Sequence, residues 1–222
     1  MTTAVLSPSF HPSPTRKHAD VASVVLRQIR PDDAPALQAF VRALSPDSRR
    51  LRFHTALNEL TDSRLQTLAR VDQRVHVAFV LTTTKRGTER IVGEARYVVS
   101  HDERTAEFAI AVADELRGQG LAERLLAALI DAARAAGLRW LVGEVLVRNT
   151  RMLAFVRRCG FVGSRLGGVD ARVIRVERCV DRPLAVTQAD QSRTGAEHRF
   201  LSRLLPAFLP ASPESACDFH QF

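Results

Sequence analysis

Two glycines, Gly118 and Gly120, lie between a strand-like segment and the clearest amphipathic helix pattern of the chain, and they constrain the fold most. Leucines and alanines recur at helical spacing after them and predict a helix over residues 120–136. Gly137 follows where a left-handed C-terminal cap belongs. Amide groups at a helix N-terminus lack intrahelical partners, and glycines let an anion such as a pyrophosphate approach them. The alternative is that both glycines only shape a tight turn.

The rest of the chain predicts a mixed domain over residues 23–181. The opening strand (24–30) and three helices (34–44, 46–57 and 62–71) come first, followed by strands at 76–83, 91–99 and 105–112 with hairpin tips at 85–88 and 102–104. After the central helix we expect a strand (140–147), a helix (150–158) and two strands (161–164 and 171–180). The fold class is therefore α/β (α+β), with a mostly antiparallel central sheet flanked by helices. Residues 1–22 are expected to be a flexible leader, and residues 182–222 a C-terminal extension with a short amphipathic segment.

Composition excludes several classes of protein. The chain has 222 residues, 25% of them charged, and no apolar run of 18 residues, which argues against a membrane span. The net charge of +8 comes from dispersed arginines without a basic run, which argues against nucleic-acid binding as the main role. Three cysteines without a CxxC pair (Cys159, Cys179 and Cys217) favour a reducing cytoplasm over a disulfide framework or zinc site.

The sequence lacks the motifs of several other kinds of active site. The seven histidines show no metal-ligand spacing, and neither GxxxxGK[ST] nor GxSxG occurs, so we expect no metal cofactor, phosphate-loop NTPase or serine hydrolase. A dinucleotide-binding fingerprint would need a glycine where Glu123 stands and a parallel crossover before it. Cys159 follows an apolar helix pattern, where a structural thiol is more common than a nucleophile.

Two motifs of the chain resemble the GCN5-related N-acetyltransferase (GNAT) family. Residues 117–122, Arg-Gly-Gln-Gly-Leu-Ala, are similar to its Q/R-x-x-G-x-G/A signature, and Asn149 followed by Gly160-Phe161 is similar to its second cofactor-side motif. Within the family the chain looks closest to the acetyltransferase domain of bacterial Pat-type protein lysine acetyltransferases, through residues 26–33, 44–53, 106–109 and 141–146.

The resemblance implies transfer of an acetyl group from acetyl-CoA to an amine in a ternary complex. The fourth and fifth strands would then splay into a V that holds the pantetheine arm, with a bulge in the fourth strand turning amides toward the thioester carbonyl. The amides of residues 118–122 would bind the pyrophosphate. The full set expected to bind acetyl-CoA is Ala111, Val112, Ala113, Arg117, Gly118, Gln119, Gly120, Leu121, Ala122 and Asn149. Asn149 could equally be a helix N-cap, and the two roles can coexist.

The resemblance also implies a general base, because an ammonium cannot attack a carbonyl until it loses a proton. Glu107 matches the glutamate with that role in Pat-type enzymes, and Glu94 and Glu144 are fallback candidates on neighbouring strands. The tyrosine that many family members use as acid is replaced by Val156. Tyr97 lies on a different strand, and solvent can protonate the departing thiolate.

Three functions remain open on the sequence alone. The leading one is an N-acetyltransferase whose acceptor is a protein lysine, an N-terminus or a small amine. A non-catalytic acyl-CoA sensor would need the glycine loop but not Glu107, and a basic nucleic-acid-binding module would need neither. We expect no membrane partner, and either a monomer or a homodimer.

Overall fold

One seven-stranded sheet organises the chain in the computed structural model, which describes residues 24–85, 87–165 and 172–181. The leader and the extension expected at 1–22 and 182–222 lie outside these residues. In chain order the strands are β1 (Val25–Gln28), β2 (His76–Lys85), β3 (Thr88–Val99), β4 (Thr105–Val112), β5 (Trp140–Leu146), β6 (Val162–Arg165) and β7 (Val173–Cys179). Their spatial order is β1-β2-β3-β4-β5-β7-β6, with β4–β5 as the parallel pair and antiparallel pairing elsewhere. The expected mixed, mostly antiparallel sheet is confirmed.

Helices cover both faces of this sheet. They are α1 (Ala34–Ala43), α2 (Pro46–Phe53), α3 (Asp62–Ala69), α4 (Leu121–Ala135) and α5 (Thr150–Arg158). On one face Arg52 of α2 pairs with Glu94 of β3, and on the opposite face Leu125 of α4 packs over Gly93. The apolar stripe predicted for α4 is buried at Leu121, Leu125, Leu126, Leu129, Ile130 and Ala133. Burial of this stripe fixes α4, and with it the loop that precedes it, against the sheet.

Side-chain caps set the starts of α2 and α3. Ser45 accepts a hydrogen bond from the Ser48 amide at the start of α2, and Thr61 accepts one from the Arg64 amide at the start of α3. The second and third helices are shorter than predicted. α2 ends at Phe53 because His54 adopts a left-handed conformation (φ 56°). In the described part of the chain no helix is long and apolar enough to cross a membrane.

The fork between β4 and β5 is the feature that positions the site. The two strands pair only from Thr105–Trp140 to Glu107–Val142, and β4 continues to Val112 without β5 beside it. The V-shaped splay expected between the fourth and fifth strands is therefore present. The bulge expected in β4 is not found, because the β3–β4 ladder is unbroken from Gly93–Val112 to Val99–Ala106. The register shift lies between β2 and β3, next to Leu81 and Thr82.

The ring of Phe108 lies at the point of divergence. A Cβ atom added to Gly143 would stand 2.8 Å from its Cε1 atom, so the ring rests directly on the β5 backbone. Phe161 contacts the same ring at 5.1 Å between centroids. The glycine therefore allows an aromatic side chain of β4 to reach over β5 where the strands separate.

Candidate active site

A cavity of about 910 Å³ opens at the fork, within the range typical of small-molecule sites. Its walls come from β3, β4, β5, α2, the loop before α4, and α5. Four of its lining arginines, Arg117, Arg148, Arg151 and Arg158, stand toward the glycine loop and α5. This arrangement gives one end of the cavity cations that suit a phosphate-bearing ligand.

The glycine loop presents its backbone to this cavity. Gly118 and Gly120 both have φ of 77°, and a Cβ atom at either would meet no atom within 4 Å. Backbone conformation, rather than packing, therefore requires glycine at both positions. In the described part of the chain, the amides of residues 118–123 donate to no backbone carbonyl outside α4. Free amides at the start of a 15-residue helix suit a pyrophosphate, so the loop fits the cofactor that the sequence predicts.

A polar network joins this loop to the start of α2. Asp114 accepts hydrogen bonds from the Ser45 amide at 2.8 Å and from the Ser48 hydroxyl at 2.6 Å. Arg117 forms an ion pair with Asp114 at 2.6 Å and donates to the Ser48 hydroxyl at 2.7 Å. Although burial favours the neutral acid, these partners hold the pKa of Asp114 below its usual range. Arg117 thus braces the loop and has part of its charge neutralised.

Glu107 lies at the last paired position of the fork, with Val98 on one side and Val142 on the other. Its side chain lines the cavity. Burial raises the pKa of Glu107 to about 7, with Glu144 raising it further and Arg175 and Arg52 lowering it. A carboxyl group with that pKa is half ionised near neutral pH, which suits a general base.

Glu94 occupies a different environment on the same face of the sheet. It is 3% exposed, pairs with Arg52 at 3.1 Å and forms a second ion pair with Arg96. Burial opposes ionisation, but the two guanidinium groups outweigh it and hold the pKa of Glu94 below its usual range. The structure therefore argues against Glu94 as a fallback base, because a carboxylate locked between two cations is a poor proton acceptor.

Arg96, which also lines the cavity, extends this ion-pair cluster to α3 and β2. It donates to the Leu68 carbonyl of α3 at 3.1 Å and lies 2.9 Å from Nε2 of His76. Burial and the charge of Arg96 lower the pKa of His76 to about 4, so the ring is neutral and can accept the hydrogen bond. The cluster fixes β3 against α2 and α3 beside the candidate base.

The two remaining expectations concern Asn149 as a ligand of acetyl-CoA and a tyrosine as the acid that protonates the thiolate. The Oδ1 atom of Asn149 accepts the Met152 amide at 3.1 Å and caps α5, and the residue also lines the cavity. Val156 is 2% exposed in α5, so no acid stands at its position. Tyr97 is 1% exposed, and burial raises its pKa. Neither residue can protonate a thiolate in the cavity.

The cavity brings together most of the residues predicted to bind acetyl-CoA. Two of them are not among its lining residues. The Ala113 amide is bound to the Val92 carbonyl at 2.9 Å, and the Oε1 atom of Gln119 is buried without a partner in the described part of the chain. The wall contributed by Ser48 and Arg52 was missed, since nothing in the local sequence signals a contact such as Ser48–Asp114 across 66 residues.

The other sequence expectations concern cysteines and metals. Cys159 and Cys179 are free thiols, and Cys217 lies outside the described residues. Within residues 24–85, 87–165 and 172–181, no group of three or more His, Cys, Asp or Glu side chains is placed to hold a metal ion.

Comparison with known proteins identifies the class of enzyme. The model of the acetyltransferase (GNAT) domain family matches residues 23–162, more than half of the chain. The protein belongs to this family, and it is accordingly an acetyl-CoA-dependent N-acetyltransferase.

Individual relatives agree with this membership. An acetyltransferase of Pseudomonas aeruginosa is 33% identical over 146 residues, which cover 66% of this chain and 78% of that protein. An L-methionine sulfoximine/L-methionine sulfone acetyltransferase of Pseudomonas paraeruginosa is 42% identical over 57 residues, 26% of this chain and 33% of that one. The crystal structure of the GNAT domain of S. lividans PAT superposes with a TM-score of 0.63 at 26% identity, covering 69% of this chain and 89% of that one.

Proposed function

We propose that the protein acetylates a primary amine, with Glu107 as the general base and a protein lysine as the acceptor. The observation that carries the proposal is the position of Glu107, at the fork and inside the cavity, with a pKa raised to about 7. The lysine acceptor follows the resemblance to Pat-type enzymes. Cys159 and Cys179 are free thiols, in keeping with a cytoplasmic enzyme.

The residues of the chain would divide the chemistry between the two ends of the cavity. Amides of the loop at Gly118–Ala122 would hold the pyrophosphate of acetyl-CoA, and Ala111 and Val112 would flank the pantetheine arm in the fork. Asn149 would contact that arm through its side-chain amide nitrogen, since its oxygen caps α5. Acetyl-CoA supplies the activated acyl group.

Glu107 would take one proton from the acceptor ammonium, directly or through water. The freed amine nitrogen then attacks the thioester carbonyl, the C–N bond forms and the C–S bond breaks. The thiolate takes up one proton from solvent, and the second proton lost from nitrogen leaves to solvent. Glu107 then releases the proton that it took, so one proton is set free per turnover. Because a thiolate is a tolerable leaving group, solvent can serve as the acid where Val156 replaces the usual tyrosine.

The experiment that tests this proposal starts with calorimetric titration of the purified protein with acetyl-CoA. Free-thiol release is then followed with lysine peptides, spermidine and L-methionine sulfone as acceptors. We expect micromolar binding and release that depends on the lysine peptide. Thiol release with another amine would support the proposed acetyl transfer with that amine, rather than lysine, as the acceptor. Binding of acetyl-CoA without thiol release from any amine would support a non-catalytic acyl-CoA sensor.

The matched variant is Glu107→Gln, which removes the base but keeps the shape of the side chain. We expect turnover at pH 7 to fall by about 10²–10⁴-fold, the contribution typical of a general base, with unchanged acetyl-CoA affinity. Full turnover at pH 7 would exclude Glu107 as the base.

A further inference from the structure

One of the four arginines at the phosphate-binding end of the cavity differs from the other three. Those three each face a carboxylate that also lines the cavity, and the pairs are Arg117–Asp114 at 2.6 Å, Arg148–Asp47 at 3.3 Å and Arg158–Glu123 at 3.8 Å. Arg151 lines the same cavity, but its side chain forms no hydrogen bond or ion pair with any described residue. Among these four arginines, Arg151 is therefore the one whose charge no carboxylate offsets.

The backbone of Arg151 is held in place although its side chain is exposed. The residue is the second of α5, directly after the Asn149 cap, whose Oδ1 atom accepts the Met152 amide at 3.1 Å. Phe155 and Val156 are buried and hold the helix on the domain. The first turn of a helix also adds positive potential beside the guanidinium group. Arg151 thus presents a hydrated cation from a fixed position at the cavity wall.

Acetyl-CoA carries phosphate in two separate places. Its pyrophosphate suits the amides of the loop at residues 118–122, as described above. The phosphate on the 3′-oxygen of its ribose is a monoester with close to two negative charges at neutral pH, and it needs a partner of its own. Arginine suits such a group because its planar guanidinium donates two parallel hydrogen bonds. Arg151 can do so without first giving up a carboxylate.

We propose that Arg151 binds the 3′-phosphate of acetyl-CoA and makes the enzyme select CoA thioesters over thioesters of 3′-dephospho-CoA. The assignment rests on the proposed placement of the pyrophosphate at the glycine loop and adds a specificity residue to it. The loop itself cannot make this distinction, because both thioesters contain the same pyrophosphate and pantetheine arm.

The test is calorimetric titration of the full-length protein at pH 7.5 with acetyl-CoA and with acetyl-3′-dephospho-CoA. The wild type should bind acetyl-CoA about tenfold more tightly, the contribution of a charged hydrogen-bonded pair that is partly exposed to water. In Arg151→Gln the Kd of acetyl-CoA should rise about tenfold. The Kd of the dephospho thioester should change little, so the preference between the two thioesters is lost.

Two further measurements separate phosphate binding from a structural role. Arg151→Lys keeps the charge but not the planar fork, and it should restore part of the preference for acetyl-CoA. In the wild type the preference should narrow as the pH falls below about 6, because a phosphate monoester then takes up its second proton. A structural role would weaken both thioesters equally and would leave their ratio unchanged.

The matched control is Arg157→Gln. Arg157 is an exposed arginine of the same helix that is not among the cavity-lining residues and forms no side-chain hydrogen bond or ion pair with a described residue. Its replacement should leave both Kd values unchanged. Arg158→Gln should keep the ratio of the two Kd values, since Arg151 rather than Arg158 is expected to bind the 3′-phosphate.

The outcomes distinguish this assignment from the proposed function. Equal wild-type affinity for the two thioesters, or a preference that survives in Arg151→Gln, would overturn the role of Arg151. A preference lost in Arg158→Gln but kept in Arg151→Gln would overturn it as well. Neither result touches the catalytic proposal, which the turnover of Glu107→Gln tests separately. A wild-type protein that binds neither thioester would overturn both.

Discussion

Substitution of Gly143 by alanine tests whether the packing at the fork is as tight as the structure has it. The new Cβ atom would stand 2.8 Å from Cε1 of Phe108 and 3.2 Å from its Cδ1 and Cζ atoms. The ring cannot turn aside freely, because it is 5% exposed and packed against Phe161. Overpacking of this kind costs about 1–3 kcal/mol. The cost should appear as a loss of unfolding free energy, because the folded backbone must shift to accept the methyl group.

The assay is urea denaturation followed by circular dichroism, supported by a thermal scan. For a domain of this size, each kcal/mol corresponds to about 2–4 °C in Tm. The matched control is Gly163→Ala on β6, where the nearest atom, Cγ2 of Ile174, is 3.3 Å from the new Cβ. The free energy of unfolding of the control should fall less than that of Gly143→Ala, because the single methyl group of Ile174 has to give way by only a few tenths of an ångström.

A double variant assigns the cost to the ring. In a Phe108→Leu background the aromatic edge is absent, so Gly143→Ala should cost less than in the wild type. The two changes should therefore be non-additive by about 1 kcal/mol or more. Additive effects, or a Gly143→Ala protein as stable as the wild type, would refute the reasoning. Acetyl-CoA titration of the same variants would show whether the ring also sets the width of the fork.

Three further predictions concern the loop and the buried cluster. Gly120→Glu and Gly120→Ala should each lose about 1–2 kcal/mol of stability through the left-handed backbone, but only the glutamate variant, with its carboxylate against the pyrophosphate, should lose acetyl-CoA binding in calorimetry. The pKa of His76 in the folded protein, about 4, lies below its value of about 6.5 in the unfolded chain. The stability that the neutral His76 ring contributes is therefore complete above pH 6.5 and is lost as the pH falls toward 4. His76→Gln should reduce this acid-induced loss of unfolding free energy by up to about 3 kcal/mol, measured by denaturation curves across this pH range. Glu94→Gln leaves Arg52 and Arg96 buried without their shared anion and should cost about 3–5 kcal/mol in urea denaturation, and a cost below 1 kcal/mol would contradict the ion-pair assignment.

The order of elements was predictable because local signals agree with the tertiary contacts. α5 begins and ends as predicted, since Asn149 caps its first turn and Gly160 follows it with positive φ. The end of α2 was not predictable. His54 takes a left-handed conformation that sequence rules reserve mainly for glycine and asparagine, so the predicted helix continued past it. The prediction of a bulge in β4 was wrong for a similar reason. A strand irregularity depends on the pairing with the partner strand, which the sequence of one strand does not indicate.

The candidate base shows where sequence information ends. Glu94, Glu107 and Glu144 lie on the three neighbouring strands β3, β4 and β5, and all three face the same side of the sheet. Only their neighbours separate them: two arginines hold Glu94 ionised, whereas burial and Glu144 push the pKa of Glu107 toward 7. Those neighbours come from elements far apart in the chain, so alternation alone could not rank the three carboxylates. A resemblance to known enzymes could select Glu107, but the reason for that choice is physical. At this fork, burial and Glu144 raise the pKa of Glu107 to about 7, whereas the ion pairs with Arg52 and Arg96 hold the pKa of Glu94 below its usual range.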